Sequence, residues 1–467
     1  MLSSRSGNLT KGLILLGAIS FLPTLFFYLV GEEGIYTITS MEMWHRNNWL
    51  QQIMYGSDNQ RPPLVNWLIM PVANLIGWPH VVIAARSVSI AATLGMLGWL
   101  YWLSRKLFAD KSFALFAALA GLSLADLLLY RGWLTYTDPV FAFFTFGAMA
   151  TLWVATIERH KGWLLVSVLL VSCAMLSKAF TAYIFYGTVA LVLLWQRSAR
   201  NFLLSPSALC IFVLALVVPF AWFATLPQVG GHSSSMLDEI ARKLSAINAP
   251  GYFTHLASFP FETAFRLSPA VLLAVYLLLR KRVAQPETVP VHFQAALLIA
   301  GLGFLPYWLS PQSSIRYLLP IYPLIALASA RIIWRAGEPA RALALRWFAG
   351  IIAFKFMFAL LLVPYYQSHF RGENYAQAAQ EIMRRTDGFP LYAADSRSVG
   401  LNIVGNIDIR RWPEAPLVRP PADWNEGFVL APIADEALGT VAETYRVAGD
   451  QTFLLCRGTA CKAVPAK

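Results

Sequence analysis

The sequence is poor in charged residues. Asp, Glu, Lys and Arg make up 13% of its 467 residues, whereas about 25% is usual for a soluble globular domain. Hydrophobic residues account for 57%, and the chain has 16 tryptophans, a residue that concentrates at the two surfaces of a bilayer. This composition excludes a soluble globular protein and indicates a chain that crosses a membrane several times.

Several signatures of common enzymes and fibrous proteins are missing. The 29 glycines and 27 prolines are scattered along the chain, which excludes a collagen-like or low-complexity protein. No phosphate-binding glycine loop, serine nucleophile elbow or metal-ligand spacing occurs. A soluble nucleotide site is therefore not expected, and no cofactor is expected to be required, although a divalent metal is left open.

Cysteine is also scarce, with four residues in the chain. Cys173 and Cys210 lie in apolar runs and are interpreted as small buried hydrophobic residues. Cys456 and Cys461 lie near the C-terminus with four residues between them. This spacing predicts a disulfide across a tight turn if the C-terminal segment is in an oxidising compartment.

The formal net charge is +12, which raises the question of nucleic-acid binding. The basic residues form short clusters between apolar runs rather than one patch, and this is the positive-inside pattern of membrane proteins. The clusters fall in alternate loops, at 105–111, 159–161, 197–200, 280–282 and 331–341. The sequence therefore predicts no nucleic-acid partner, a cytoplasmic N-terminus and a periplasmic C-terminus in a bacterial inner membrane.

Apolar runs close to the length that crosses a bilayer, about 20 residues, recur along the chain. Eleven are predicted as spans, at 12–30, 79–104, 112–130, 138–157, 162–177, 179–195, 206–226, 263–280, 292–309, 315–334 and 344–364. Two further segments, 35–48 and 62–78, are expected to lie along the membrane surface. In 35–48, an apolar residue recurs every three positions and predicts a helix with one apolar stripe: Ile35, Ile38, Met41 and Trp44. The predicted fold class is an all-α polytopic membrane protein with interfacial helices.

The chain changes character after residue 365. A polar helix is predicted at 374–385, followed by short strand-like runs at 390–394, 427–432 and 452–456. Alternation of this kind indicates a small α/β domain. We therefore expect a transmembrane domain at 1–365 and a periplasmic α/β domain at 366–467.

Three acidic residues lie at predicted periplasmic ends of spans. Glu32 and Glu33 directly follow the first span, where a carboxylate can act as a general base on an acceptor hydroxyl. A charge at a helix N-terminus is the alternative interpretation of this pair. Asp138 precedes Pro139 at the start of a span and is expected to cap that helix, with a second, catalytic role left open.

Three basic residues lie on the same predicted face. Arg61 precedes Pro62-Pro63 and can hold a phosphate through two parallel hydrogen bonds, or else reach lipid headgroups. Lys178 lies in a tight turn opposite the basic loops, and a charge near membrane depth indicates function. Arg316 begins a span that two prolines interrupt. These cations are predicted to bind a phosphate.

Five short motifs occur in order along the predicted transmembrane domain. They are Glu32-Glu33-Gly34-Ile35-Tyr36 with Met41-Glu42-Met43, Gln60-Arg61-Pro62-Pro63-Leu64 with Trp67, Asp138-Pro139, Ser177-Lys178-Ala179, and the run from Arg316 to Pro323. The set resembles the motifs of GT-C glycosyltransferases of the protein O-mannosyltransferase and 4-amino-4-deoxy-L-arabinose (lipid A) transferase type, and it covers residues 10–365.

The resemblance implies an enzyme that transfers a sugar from a polyprenyl-phosphate donor, such as an undecaprenyl-phosphate sugar, with inversion at the anomeric carbon. It implies Glu32 as the base or acceptor-orienting residue, with Glu33 as the main competitor. It also implies that Arg61 and Lys178 hold the donor phosphate. The tyrosines within these motifs are expected to line the substrate cleft: Tyr36, Tyr317 and Tyr322.

Three departures from the usual motifs leave the sugar and the acceptor open. Glu32 stands in place of Asp, Gln60-Arg61 in place of Glu-Lys, and Ile35 where some aminoarabinose transferases have arginine. The acceptor is lipid A, another glycan or a protein. A transporter or flippase of a lipid-linked sugar is the alternative function, and it predicts broken helices and related repeats. A third possible function is a scaffold subunit that binds partners through its C-terminal segment. That function would give Lys178 no role.

Overall fold

The computed structural model describes residues 2–58, 61–178, 180–226, 249–283, 286–447 and 449–462. Within this part of the chain the protein is mostly helical, and it divides into two compact units. The first unit comprises Met1–Phe21, Ile90–Trp133 and Thr137–Phe356. The second comprises Leu22–Ser89, Leu134–Tyr136 and Met357–Lys467.

The first unit consists of apolar helices, the structure that satisfies every backbone hydrogen bond inside a bilayer. Its α-helices are Leu2–Ile19, most of Val81–Phe108, Lys111–Leu122, Thr137–Glu158, Lys161–Lys178, Thr181–Leu194, Arg197–Leu203, Pro206–Thr225, Ala249–Arg266, Ala270–Leu279, Pro290–Leu309, Tyr322–Arg335 and Glu338–Met357. A π-helix, Asp126–Arg131, and a 3₁₀-helix, Ile315–Ile321, complete the unit.

The eleven predicted spans are not all reproduced as long helices. Among the described residues, eight helices are long and apolar enough to cross a bilayer, or nine if one bent pair counts as a single span. Two predicted spans, 112–130 and 179–195, are the shorter apolar helices Lys111–Leu122 and Thr181–Leu194. The chain is therefore a multi-pass membrane protein, but the structure does not confirm the number eleven.

The bent pair replaces the predicted span 263–280. Helices Gly251–Arg266 and Ala270–Leu279 meet at an angle of 108°. Pro269 lies at the break; it lacks an N–H and disfavours helical geometry in the preceding Ser268. The sequence therefore contains the cause of the break, a proline, but a prediction from hydropathy alone does not take it into account.

Two of the long apolar helices lie in the interior of the first unit. In Thr137–Glu158, 83% of the most apolar stretch is buried by the rest of the protein, and in Ile315–Arg335 the share is 78%. The corresponding share in Pro206–Thr225 is 22%, so that helix presents most of its apolar surface outward. A helix that is apolar on all sides belongs inside a bundle. These two interior helices carry the candidate residues Asp138, Arg316 and Tyr317.

The second unit combines helices with a four-stranded sheet. Its strands are β3 (Leu391–Ala393), β4 (Gly427–Ala431), β5 (Thr440–Val447) and β6 (Asp450–Arg457), after a short hairpin of β1 (Ile53–Met54) and β2 (Ser57–Asp58). The strand order is β3-β4-β6-β5; β3 and β4 are parallel and the other pairs are antiparallel. All five residues of β4 are buried, as expected for a central strand.

The helices of this unit include segments from both ends of the chain. The α-helices are Gly34–His45, Leu64–Ile76, the start of Val81–Phe108, Val363–His369, Glu373–Arg385 and Ser398–Arg411; the 3₁₀-helices are Leu22–Phe26, Trp78–His80 and Gly458–Lys462, and Phe358–Leu362 is a π-helix. One hydrophobic core joins Ile38 and Tyr55 to Ile382, Leu401 and Leu454. The C-terminal α/β segment therefore shares its core with residues 35–55.

Most of the segment 35–48, predicted to be an interfacial helix, is buried within the protein. Helix Gly34–His45 buries every residue from Tyr36 to Met43. Helices Leu64–Ile76 and Ser398–Arg411 both contact it. The helix is present, but protein covers it on all sides rather than along one apolar stripe. Periodicity cannot tell whether lipid or protein covers an apolar face.

Candidate functional site

The two acidic residues after the first predicted span, Glu32 and Glu33, lie in different environments. The Glu33 side chain is completely buried and pairs with the equally buried Arg86. Arg86 donates from Nε to Oε1 at 3.0 Å and from Nη2 to Oε2 at 2.5 Å. This two-point geometry is the strong form of an arginine–carboxylate contact. Glu32, in contrast, is exposed.

Arg86 also holds the chain that leads into the acidic pair. Its guanidinium donates to the carbonyl oxygens of Thr24 at 2.9 Å, Phe27 at 2.6 Å and Tyr28 at 2.9 Å. A buried charge is costly unless it is paired and hydrogen-bonded, and here both conditions are met. Sequence reasoning missed Arg86, although a lone arginine inside the predicted span 79–104 was a signal of function or structure.

Further hydrogen bonds fix the backbone around the two glutamates. Glu33 accepts from the backbone N–H groups of Val30 and Thr135, both at 2.9 Å. The backbone N–H of Glu32 donates to the Tyr136 hydroxyl at 3.1 Å. The Glu33 carboxylate is therefore occupied by structural contacts, whereas Glu32 has a fixed backbone and an exposed side chain. This contrast identifies Glu32 as the accessible acid of the pair.

Arg61 is exposed and precedes the helix Leu64–Ile76. Two buried amides hold the turn behind it: Gln52 donates to Asn66 at 2.7 Å, and Asn66 donates to the hydroxyls of Thr39 and Ser40 at 2.9 Å. Gln60 lies outside the described residues. Tyr36, predicted to line a cleft, is 6% exposed within the buried helix described above.

In the first unit, Asp138 and Lys178 form an ion pair. Asp138 was expected to cap its helix from the preceding position, but the helix begins at Thr137 and includes Asp138 in its first turn. Its carboxylate is directed to Lys178, the last residue of helix Lys161–Lys178. Asp138 is 5% exposed and Lys178 23%, so the lysine is the more accessible partner. Ala179 of the same motif lies outside the described residues.

Tyr317 joins this pair to a second cation. The Lys178 Nζ lies 4.4 Å from the centre of the Tyr317 ring, and the Arg316 guanidinium carbon lies 5.2 Å from it. A cation over an aromatic face is attracted by the ring quadrupole. We call Asp138, Lys178, Arg316 and Tyr317 the lysine cluster. It carries two positive charges and one negative charge, which suits it to a phosphate.

Tyr322 belongs to a separate buried network. Its hydroxyl donates to Asp126 at 2.8 Å, and Arg266 pairs with the other oxygen of Asp126 at 3.2 Å. Tyr322 is 0% exposed, so its predicted place on a cleft wall is not supported by its burial. Sequence reasoning missed Asp126 and Arg266. Asp126 interrupts the predicted span 112–130, which was a detectable signal.

The two C-terminal cysteines are joined. Cys456 and Cys461 form a disulfide with 5.2 Å between their Cα atoms. The bond ties the end of β6 to the 3₁₀-helix Gly458–Lys462. It therefore closes a short loop directly after β6, an interior strand of the sheet.

The architecture matches a solved structure over its whole length. The structure of ArnT from Cupriavidus metallidurans bound to undecaprenyl phosphate superposes with a TM-score of 0.70 at 15% identity, covering 100% of both chains. The apo state of the same protein gives 0.66, covering 98% of both chains. This protein has the GT-C glycosyltransferase fold. No curated protein matches the sequence.

Two further comparisons agree with the GT-C fold. Residues 60–223 match the family described as dolichyl-phosphate-mannose-protein mannosyltransferase. The Archaeoglobus fulgidus oligosaccharyltransferase, tethered to an acceptor peptide, gives a TM-score of 0.52 at 14% identity, covering 91% of this chain and 69% of that one. The resemblance expected from the five motifs is thereby confirmed.

In this GT-C chain, the chemistry available is that of acids, bases and cations. Glu32 can accept a proton, and the lysine cluster can bind an anion. Within the described residues, no group of three or more His, Cys, Asp or Glu side chains is placed to hold a metal ion.

Proposed function

We propose that the protein is an inverting glycosyltransferase of the bacterial inner membrane, which moves a sugar from a polyprenyl-phosphate donor to a lipid A, glycan or protein acceptor in the periplasm. The fold match to a protein bound to undecaprenyl phosphate, over 100% of both chains, carries this proposal. The order of the five motifs supports it.

The proposed reaction is a single displacement. The acceptor hydroxyl oxygen bonds to the anomeric carbon while the bond from that carbon to the phosphate oxygen breaks. The proton passes to Glu32, and the electron pair leaves with polyprenyl phosphate. Attack from the side opposite the leaving group inverts the anomeric centre. The exposed carboxylate and hydrogen-bonded backbone of Glu32 support its role as the general base.

The donor phosphate gains negative charge as the bond breaks, and positive groups stabilise that charge. We assign this task to the cations of the lysine cluster and to Arg61. Lys178 is paired with Asp138 and stacked on Tyr317, so its position is set before any donor arrives. Asp138 is proposed to orient this lysine rather than to take the proton.

Loss of either phosphate-binding residue should weaken use of the donor. Lys178→Ala and Arg61→Ala are each expected to lower kcat/KM for the lipid donor about ten- to a hundredfold, the effect of losing one charge-assisted hydrogen bond. Arg61→Lys should retain more activity than Arg61→Ala. Kinetics of purified protein in nanodiscs would measure this.

Each variant has a matched control. Lys161→Ala removes an exposed charge at the other end of the helix that carries Lys178, and Arg410→Ala removes an exposed arginine from the second unit. Both controls should stay within twofold of the unaltered protein. Equal kinetics for Lys178→Ala and Lys161→Ala would reject the phosphate assignment of Lys178.

The periplasmic location of the C-terminal segment predicts an oxidised cysteine pair in cells. Cys456 and Cys461 should resist thiol labelling under denaturing conditions until a reductant is added. Cys173 is the internal control, because it should label in denaturant without reductant. Full labelling of all four cysteines without reductant would place the segment in a reducing compartment and reverse the proposed orientation.

The direct test of the function combines genetics with reconstitution. Deleting the gene should change the mass of lipid A, a surface polysaccharide or a glycoprotein by one sugar unit, and the purified protein with the polyprenyl-phosphate sugar should restore that mass. Activity should persist in a metal chelator, because we propose no cofactor. If lipid A, the surface polysaccharide and the glycoproteins all have the same masses with and without the gene, the proposal is wrong.

A flippase is the competing function, and the bent helix pair Gly251–Arg266 and Ala270–Leu279 favours it, since broken helices are common in transporters. The same reconstitution separates the two. Transfer of the sugar to an acceptor supports the transferase, whereas movement of an intact lipid-linked sugar across the bilayer without transfer would establish the flippase.

A further inference from the structure

The C-terminal segment reaches the acidic pair through one side chain. Asn402, in helix Ser398–Arg411, is 0% exposed. Its Nδ2 donates to the carbonyl oxygen of Gly31 at 2.9 Å, and its Oδ1 accepts from the backbone N–H of Gly34 at 3.3 Å. Gly31 and Gly34 flank Glu32 and Glu33. A single amide therefore holds the backbone on both sides of the acidic pair.

The peptide group between Gly31 and Glu32 is held at both of its polar ends. Its carbonyl oxygen accepts from Asn402, and its N–H donates to the Tyr136 hydroxyl. A peptide plane with both groups engaged cannot rotate without losing two hydrogen bonds. Rotation of this plane would change ψ of Gly31 and φ of Glu32, and with φ the direction in which the Glu32 side chain leaves the backbone. Asn402 and Tyr136 thus set the orientation of Glu32.

The two glycines make this close approach feasible. Gly31 has φ +59°, a left-handed conformation that favours glycine, and a Cβ there would collide with the Tyr136 hydroxyl. A Cβ at Gly34 would lie 2.5 Å from the carbonyl oxygen of Leu401. The loop and helix Ser398–Arg411 are therefore in backbone contact, and side chains other than hydrogen would separate them.

The chemistry of the contact requires an amide. The Gly31 carbonyl needs a donor and the Gly34 N–H needs an acceptor, and the Asn side chain offers one of each in a single plane. Aspartate at this position would keep the acceptor but would set a carboxylate oxygen against the Gly31 carbonyl. Alanine would supply neither partner.

We infer that Asn402 is a positioning residue through which the C-terminal α/β segment sets the geometry of the acid that accepts the proton. This inference rests on the proposed function, because it takes Glu32 as the general base. The C-terminal segment is then a part of the catalytic apparatus, although it touches neither the sugar nor the lipid in this role.

The test compares two variants of Asn402 with a control on the same helix, in the full-length protein in nanodiscs. Asn402→Ala should speed hydrogen exchange of the Glu32 and Gly34 amides at least about tenfold, and it should lower kcat about ten- to a hundredfold with donor KM within twofold. Asn406→Ala, one turn later, removes an amide that donates to the Asn402 carbonyl oxygen and should leave both quantities within twofold.

Asn402→Asp provides a pH-dependent readout. A protonated carboxyl can donate to Gly31 and accept from Gly34, as the amide does, whereas the carboxylate cannot donate. Its kcat relative to the unaltered protein at the same pH should therefore rise as pH falls and decline as pH rises. A merely structural role predicts a ratio that does not change with pH. This variant also decides the matter if Asn402→Ala fails to fold.

The exchange measurement requires no sugar donor, which separates this inference from the proposed function. Suppose that Asn402→Ala exchanges faster but the unaltered protein transfers no sugar. This result would confirm the loop contact and reject the transferase function. Unchanged exchange in Asn402→Ala, or a normal kcat in both Asn402 variants of an active enzyme, would overturn the positioning role.

Discussion

Glu32→Gln should leave the protein folded and able to bind its lipid donor, but kcat should fall by about 10²–10⁴, the usual contribution of a general base. The amide cannot accept the proton from the acceptor hydroxyl. Glu32 is exposed, so its replacement removes no buried contact, and the thermal unfolding midpoint should stay unchanged. Steady-state kinetics and donor binding on the same preparation would separate the loss of turnover from a loss of affinity.

Two further variants make the Glu32 experiment more specific. Glu32→Asp restores the residue usual in the resembled family and should retain part of the activity, because the carboxylate is kept but is one methylene shorter. Glu436→Gln makes the same chemical change at another exposed site in the second unit and should stay within twofold. A kcat for Glu32→Gln within twofold of that control would show that the acidic loop is structural.

Arg86→Met should cause the largest loss of stability of any single change considered for this chain. It would leave the Glu33 carboxylate buried without its partner, and removing one member of a buried ion pair costs about 3–5 kcal/mol. It would also remove the hydrogen bonds that the guanidinium donates to the carbonyl oxygens of Thr24, Phe27 and Tyr28. We expect a large decrease in the thermal unfolding midpoint, or failure to accumulate as a monodisperse protein in detergent.

The matched control for Arg86 is an exposed ion pair. Lys106 and Glu158 pair at 2.5 Å with side chains 38% and 34% exposed, and such pairs contribute about 0–1 kcal/mol. Lys106→Met should therefore shift the unfolding midpoint only slightly. Arg86→Lys should fall in between, because an ammonium keeps the charge but lacks the planar fork of the guanidinium. Equal midpoints for Arg86→Met and Lys106→Met would contradict the structural role of the Arg86–Glu33 pair.

The same pair explains why two adjacent glutamates are not interchangeable. From the sequence, Glu32 and Glu33 could not be ranked, because adjacent acids share the same hydropathy and the same predicted membrane edge. Only the tertiary structure brings Arg86, 53 positions away from Glu33, next to one of them. Glu33→Gln should consequently affect stability first, and turnover only through the loop that carries Glu32.

The predicted interfacial helix shows a limit of a different kind. The stripe of Ile35, Ile38, Met41 and Trp44 predicted a helix with one covered face, and helix Gly34–His45 is present. The covering surface could not be predicted, because part of it is supplied by helix Ser398–Arg411, which lies hundreds of positions later. Apolar periodicity reports that a face avoids water, and lipid and protein satisfy that requirement equally.

The amino-acid sequence by itself determined what depends on neighbouring residues: the apolar runs that predict membrane helices, the proline that breaks one of them, the change to an α/β segment and the short motifs of the resembled family. Tertiary structure alone decided the partners: Arg86 for Glu33, Lys178 for Asp138, Asp126 for Tyr322, and Asn402 for the Gly31 carbonyl, 371 positions away. The physical reason is the distance along the chain over which each effect acts. Hydropathy and helix propensity act over a few residues, whereas a buried polar group takes whichever partner the packing of distant segments brings within about 3 Å.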